Sequence, residues 1–250
     1  MNRSAISIKP IRKFVPICIL GIVALSGGVS PAWAQVSLGA ASEFSILGGT
    51  NVTCTSGSVV TGDIGVYPGS FTNTGCTMAG GSPPATNAAA ALAQADLLRA
   101  YSALQSRPCT QTISTAAFTG NVPALGPLAP GVYCFPAGVT FTNTTLTLIG
   151  PSNGIWIFKV GAALTGTNFS VVMADHGRPC NVFWSVGAGV TMTTSALKGN
   201  ILAGNATDGA ITLTGGSVAG RALAKVAVTV TGASVIGCDA LAGKCQQNAY

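Results

Sequence analysis

The residues able to do acid–base or metal chemistry are few and dispersed. The sole histidine, His176, stands beside Asp175 and two residues before Arg178. The carboxylates Glu43, Asp63, Asp96, Asp175, Asp208 and Asp239 lie far apart in the chain. A polysaccharide lyase would need clustered acids for Ca²⁺ and a base placed for proton abstraction. A Ser-His-Asp hydrolase would set its nucleophile in a G-x-S-x-G elbow, which this sequence lacks. Asp175, His176 and Arg178 therefore read as a surface turn. Asp63, in T-G-D-I-G, reads as a turn residue that binds nearby backbone amides. No enzyme is expected.

Cysteine chemistry points to cross-linking. Cys54, Cys76, Cys109, Cys134, Cys180, Cys238 and Cys245 follow residue 34, with no C-x-x-C pair among them. With one histidine, neither a metal nor another cofactor is expected. Sequence does not fix connectivity. Pairing nearest neighbours gives Cys54–Cys76, Cys109–Cys134 and Cys238–Cys245. Cys180, in the apolar run C-N-V-F-W, is then left as a buried free thiol.

The most regular pattern is made of hydroxyls. Thr-x-Thr pairs begin at Thr191, Thr212 and Thr229, at intervals of 21 and 17 residues, each followed by small residues and an apolar return. Self-similarity near this period marks a solenoid, whose coils bury their faces against one another. In I-T-L-T, Ile211 and Leu213 point inward and Thr212 and Thr214 outward. Stacked coils would align Thr191, Thr193, Thr212, Thr214, Thr229 and Thr231 in two columns. Thr145, Thr147, Thr165 and Thr167 are candidates to extend them. Met192 is a bulky interruption between two of these threonines. Ser217 and Ser234 mark a competing column.

Other elements must frame that surface. Residues 36–47 read as a strand with a turn, residues 50–61 as a second strand region and residues 70–84 as a loop or cap. An Ala-rich helix is expected at about residues 87–105, capped by Thr86 or Asn87 and ended by Pro108. Its stripe of Ala90, Ala93, Leu97, Tyr101 and Leu104 must lie against an apolar flank. Residues 109–130 read as irregular. Strands resume at residue 131, and glycines recur at their ends, where corners need positive φ.

Residues 1–34 read as a secretory signal peptide. Arg3, Lys9, Arg12 and Lys13 precede an apolar run, and Ala32-Trp33-Ala34 is a small-x-small cleavage site. The mature chain is residues 35–250, one domain, secreted to the extracellular space or periplasm. Of the 12 Lys and Arg, four leave with the signal, so eight remain against 6 Asp and Glu. They form no cluster, so a nucleic-acid partner is not expected, nor membrane insertion after cleavage. The surface this leaves is Thr, Ser, Asn, Gly and Ala, suited to close contact with something neutral.

Several stretches together resemble the microbial ice-binding protein family, across essentially all of the mature chain. They are L-G-A-A-S-E-F-S-I-L from Leu38, T-G-D-I-G-V from Thr61 and L-L-R-A-Y from Leu97. L-A-P-G-V-Y from Leu128, I-W-I-F-K-V from Ile155 and C-N-V-F-W-S-V from Cys180 continue the match. G-N-I-L-A from Gly199 and G-R-A-L-A from Gly220 complete it. The resemblance implies a mainly β fold, a right-handed, discontinuous parallel β-solenoid with one long α-helix packed along its side. The N-terminal strands would fill coils beside the C-terminal ones. It also implies a partner, the ice crystal surface with its ordered water, bound through a flat solenoid face, here rich in Thr, Ser and Ala; a monomer is expected. The alternative is a non-catalytic adhesive or glycan-binding module, which would show a row of exposed aromatics.

Overall fold

The structure, a computed structural model, describes residues 36–120 and 125–239. The expected signal peptide and Cys245 lie outside the described residues. A 3-10 turn, Gly39–Glu43, leads into β1 (Phe44–Gly48), β2 (Asn51–Thr55) and β3 (Val59–Thr61). The next coil is β4 (Asp63–Val66), β5 (Ser70–Thr74) and β6 (Thr77–Ala79), and the helix α1 (Ala88–Gln105) follows. Then come β7 (Gln111–Thr112) and β8 (Ala117–Thr119). β9 (Gly131–Phe135), β10 (Val139–Thr142) and β11 (Thr145–Ile149) make a coil, as do β12 (Trp156–Val160), β13 (Leu164–Thr167) and β14 (Ser170–Ala174). After β15 (Val182–Val186), the long strands β16 (Val190–Ala203) and β17 (Ile211–Ala224) each bend round two corners. β18 (Ala227–Thr231) and β19 (Ser234–Ile236) end the stack. Two expectations are corrected here. Residues 70–84 hold β5 and β6, and the stretch 109–130 holds β7 and β8, because Gly- and Ser-rich segments still pair when a neighbouring coil offers a template.

Every strand-to-strand pairing is parallel, and the strands stack into three faces. The first runs β8, β10, β13, β16, β17, β18, β2, β5. The second runs β11, β14, β16, β17, β19, β3, β6. The third runs β7, β9, β12, β15, β16, β17, β1, β4. The solenoid is discontinuous: β1–β3 sit on β17–β19, and β4–β6 form the outermost coil.

Two cores hold this together. Inside the coils, rings stack from one coil to the next: Phe141 on Phe169 with centroids 4.4 Å apart, and Phe158 on its register partner Trp184 at 4.1 Å. Among the described residues the indole N–H groups are satisfied, Trp156 donating to the Leu128 carbonyl and Trp184 to that of Lys198, each at 2.9 Å. Outside, α1 lays Ala90, Ala93, Leu97, Ala100 and Leu104 on Leu47, Val132, Ile157, Phe183, Leu202 and Leu223 of the third face. Full burial of a side chain such as Leu97 contributes about 1.5–3 kcal/mol. Asn87 caps the helix by accepting from the Ala89 amide. Gln94 and Gln105 pin it, donating to the Ala224 carbonyl at 3.0 Å and to Ser185 Oγ at 3.0 Å. No helix among the described residues is long and apolar enough to cross a membrane.

The disulfides differ from nearest-neighbour pairing at one point. Cys54–Cys76 and Cys109–Cys134 form. Cys238 bonds Cys180, which lies 58 residues earlier, in place of Cys245. Cys180 is thus neither free nor in a strand. It sits half-buried in the 3-10 turn Pro179–Asn181. Coil stacking, which sequence distance does not measure, brings it beside Cys238.

Candidate functional site

The first face is built from strands that alternate, apart from the outermost, β5, where Asn73 in line with Cys54 is exposed. Inward positions are Phe118, Phe141, Gly166, Met192, Leu213, Val230 and Cys54; each is buried. Outward positions on both sides are threonine almost throughout. One column runs Thr140, Thr165, Thr191, Thr212, Thr229, Thr53, Thr72, in register from strand to strand. Ala117 opens it, opposite Thr140. The other column runs Thr119, Thr142, Thr167, Thr193, Thr214, Thr231, with Thr55 and Thr74 paired on β2 and β5. All of these threonines are exposed or half-exposed. Neighbours in a column are about 4.7–4.9 Å apart, and the columns about 6.5–7 Å apart.

The grid is widened and kept flat by its edges. Two residues before Thr140, Thr165, Thr191, Thr212 and Thr229 stand Gly138, Ala163, Gly189, Ala210 and Ala227, all small. Following the second column, the chain turns in the left-handed region at Asn143 (φ 52°), Asn168 (φ 50°) and Thr194 (φ 49°). Gly215 (φ 65°) and Gly232 (φ 60°) take the same place in the next coils. Asn168 Nδ2 donates to Asn143 Oδ1 at 2.9 Å, so the corner amides stack at the coil spacing. Beneath the corner, Ser195 Oγ donates to the Thr193 carbonyl and accepts from the Phe169 amide, at 2.9 and 3.1 Å. Thr144 Oγ1 does the equivalent work two coils away, donating to the Thr142 carbonyl at 2.9 Å. These buried hydroxyls hold the edge rigid. Among the described residues, the hydroxyls of Thr191, Thr193, Thr212, Thr214, Thr229 and Thr231 have no protein hydrogen-bond partner and face solvent.

Met192 does not interrupt the surface. It points inward at 2% exposure, into the space left by Gly166 on the neighbouring strand. A Cβ at Gly166 would lie 2.5 Å from its sulfur.

Electrostatically the face is blank. No charged residue and no outward aromatic ring lies on the parts of these strands that form the face; Lys198 of β16 and Arg221 of β17 come after the corners. The second face differs. Ser170, Ala196, Ser217, Ser234 and Val59 make a column, but Lys198, the exposed Val172 and Ile149 share the surface. The Ser217–Ser234 column is therefore real, but shorter and flanked by charge and bulk.

The structure brings together the candidates Thr191, Thr193, Thr212, Thr214, Thr229, Thr231, Thr165 and Thr167. It does not bring Thr145 and Thr147 to them. Both lie on β11, on the second face, because the chain has already turned at Asn143. Sequence reasoning missed Thr53, Thr55, Thr72, Thr74, Thr119, Thr140 and Thr142. The signal was present, since T-C-T, T-N-T and T-F-T are the same pair, but their spacing is broken by the helix and the scrambled coil order. The polar residues set aside earlier stay outside the grid. His176 Nδ1 is 3.5 Å from Asp175 Oδ1 in an exposed loop, and Asp63 Oδ1 accepts from the Ser82 amide.

With this geometry in view, the comparisons with known proteins are consistent. The Ice-binding-like family model matches residues 46–236. The chain belongs to that family. It is 36% identical over 221 residues to an ice-binding protein of Nostoc sp. (strain HG1), covering 83% of this chain and 76% of that one. It is 31% identical over 243 residues to an ice-binding protein of Flammulina populicola, covering 88% and 94%. The crystal structure of an ice-binding protein from the Antarctic ascomycete Antarctomyces psychrotrophicus superposes with a TM-score of 0.71 at 29% identity, covering 81% of this chain and 98% of that one.

Proposed function

We propose that the chain is a secreted, non-catalytic ice-binding protein that adsorbs to ice through the threonine face of β8, β10, β13, β16, β17, β18, β2 and β5. The observation that carries this reading is the register of two threonine columns, unbroken from Thr140 to Thr72 in the first and from Thr119 to Thr231 in the second. Each threonine offers a methyl group, around which water closes into cages, and a hydroxyl that anchors the cage. A two-dimensional array of such groups, at spacings of the order of those in ice, holds an ice-like layer that merges with a growing crystal. Each contact is weak, so affinity comes from area and from having little conformational freedom left to lose. Charges would pull water out of that arrangement, and the face has none. Membership of the family, and relatives named as ice-binding, support the same conclusion.

The second face is the weaker candidate because Lys198, Val172 and Ile149 break its small-residue pattern. A glycan-binding role wants outward aromatics. Tyr133, Trp156 and Trp184 are instead buried. Export follows from the basic, apolar and Ala-x-Ala sequence of residues 1–34, and a monomer suffices because one copy carries the whole grid.

The deciding experiment follows a single ice crystal just below melting in a solution of residues 35–250, beside a recrystallisation assay. Faceting and arrested recrystallisation support adsorption. Round, freely growing crystals from folded protein overturn it.

A further inference from the structure

The stack order leaves a seam. β1 pairs with β17 through Ile46–Ala222 and Leu47–Leu223, β2 with β18, and β3 with β19. On the far side of that seam stand Thr53, Thr55, Thr72 and Thr74, one end of the grid. The strands that meet here are far apart in sequence, so chain connectivity does little to hold their register.

At the seam lies a buried guanidinium. Arg221 is 7% exposed. Its Nε donates to the Ser42 carbonyl at 2.8 Å, in the turn that launches β1. Its Nη1 donates to Asn200 Oδ1 at 3.1 Å. Asn200 is fully buried and donates in turn to the carbonyls of Cys180 and Val182, at 2.9 and 3.2 Å. Arg221 Nη2 is 3.7 Å from Asp239 Oδ1, and Asp239 follows Cys238, which is bonded to Cys180. One side chain thus joins the start of the fold, its end and its middle coils. A buried charge is weak as a source of net stability, since an apolar side chain of similar volume often does as well. What the guanidinium adds is direction: a rigid fork of donors that fixes several acceptors at once.

We propose that Arg221 is a positioning residue that seats the N-terminal coils in register on the C-terminal stack, and so aligns Thr53, Thr55, Thr72 and Thr74 with Thr229 and Thr231. Its effect on ice rests on the adsorption reading above. The seating itself does not.

Amide hydrogen exchange on the folded, full-length mature protein separates the two. In Arg221→Met, which keeps the apolar stem, amides of β1–β5 exchange about tenfold faster or more, while β10, β13 and β14 keep their rates. Arg221→Lys restores part of the protection, because an ammonium reaches Ser42 or Asn200 but does not span both. Equal acceleration in every coil, or none in β1–β5, overturns the proposal. Should Arg221→Met not fold, Asp239→Asn, at a side chain 84% exposed, gives a smaller change with the same distribution. A uniform or absent change there overturns it equally. If the unaltered protein leaves ice unshaped, the adsorption reading fails, and exchange still decides the role of Arg221.

Discussion

Thr53 pairs in register with Thr229, although most of the chain lies between them. Thr229 in turn faces Thr212, and Thr53 faces Thr72, so one column crosses from the C-terminal to the N-terminal strands without a slip. A slip of one residue would turn Val52 and Cys54 outward and bury the threonines. The buried Val52 and Cys54 make that slip costly.

A bulky side chain in the middle of the grid should stop adsorption without harming the fold. Thr212→Tyr and Thr229→Tyr are expected to lower thermal hysteresis about tenfold or more, because flatness is lost over several neighbours. Stability should move by only about 0.5 kcal/mol, as for other exposed positions. Ser217→Tyr, on the second face, should leave ice shaping intact. Unchanged activity in both threonine variants would move the site to another face.

Gly166 and Met192 share one space and should be energetically coupled. Gly166→Ala is expected to cost about 1–3 kcal/mol through overpacking. Combined with Met192→Ala, which vacates the space, the total loss should fall short of the sum of the two single changes. Urea titration of the three variants measures this. Strict additivity would mean that the sulfur moves aside freely.

Peptide mapping under non-reducing conditions should recover a fragment joining Cys180 to Cys238. Cys180→Ser is expected to cost about 2–5 kcal/mol. Cys245→Ser should leave the melting temperature unchanged, as Cys238 is already engaged. A recovered Cys238–Cys245 fragment would contradict the pairing seen here.

Asp96 gives the fold a defined acid response. Its Oδ2 accepts from the Ala40 amide at 2.9 Å. That bond holds the carboxyl below the ordinary aspartate value, against the opposing pull of burial and with added help from Arg99. A carboxylate depressed in the folded state stabilises above its unfolded pKa, and the benefit is lost as pH falls through the folded value. Melting temperature should therefore decline below about pH 4. Asp96→Asn, which still accepts from Ala40, should show a shallower decline. Identical acid profiles would remove Asp96 from the account.

Much of this was legible in the sequence, and the failures have physical causes. The helix was readable from Asn87, the alanine run and Pro108, since those signals are local. The coils at residues 191–237 were readable because they are consecutive. Thr145 and Thr147 were misplaced because a Thr-x-Thr strand looks the same on any face. Only the left-handed turn at Asn143 says that the chain has changed direction, and asparagine adopts that conformation without announcing it. Thr53 and Thr72 were overlooked because their neighbours in space are strands the sequence places far away. Cys180 was assigned wrongly for the same reason.

Discontinuity also governs when the surface can exist. A ribosome delivers β1–β6 first, yet β17–β19, on which β1–β3 sit, arrive last. Folding cannot begin at the amino end and advance coil by coil. It must nucleate among the consecutive coils from β9 to β17, whose contacts are the more local ones. Until then the early strands wait with open edges, a hazard for chains of this kind. A product cut short before β17 would keep Thr53 and Thr72 but have nowhere to seat them.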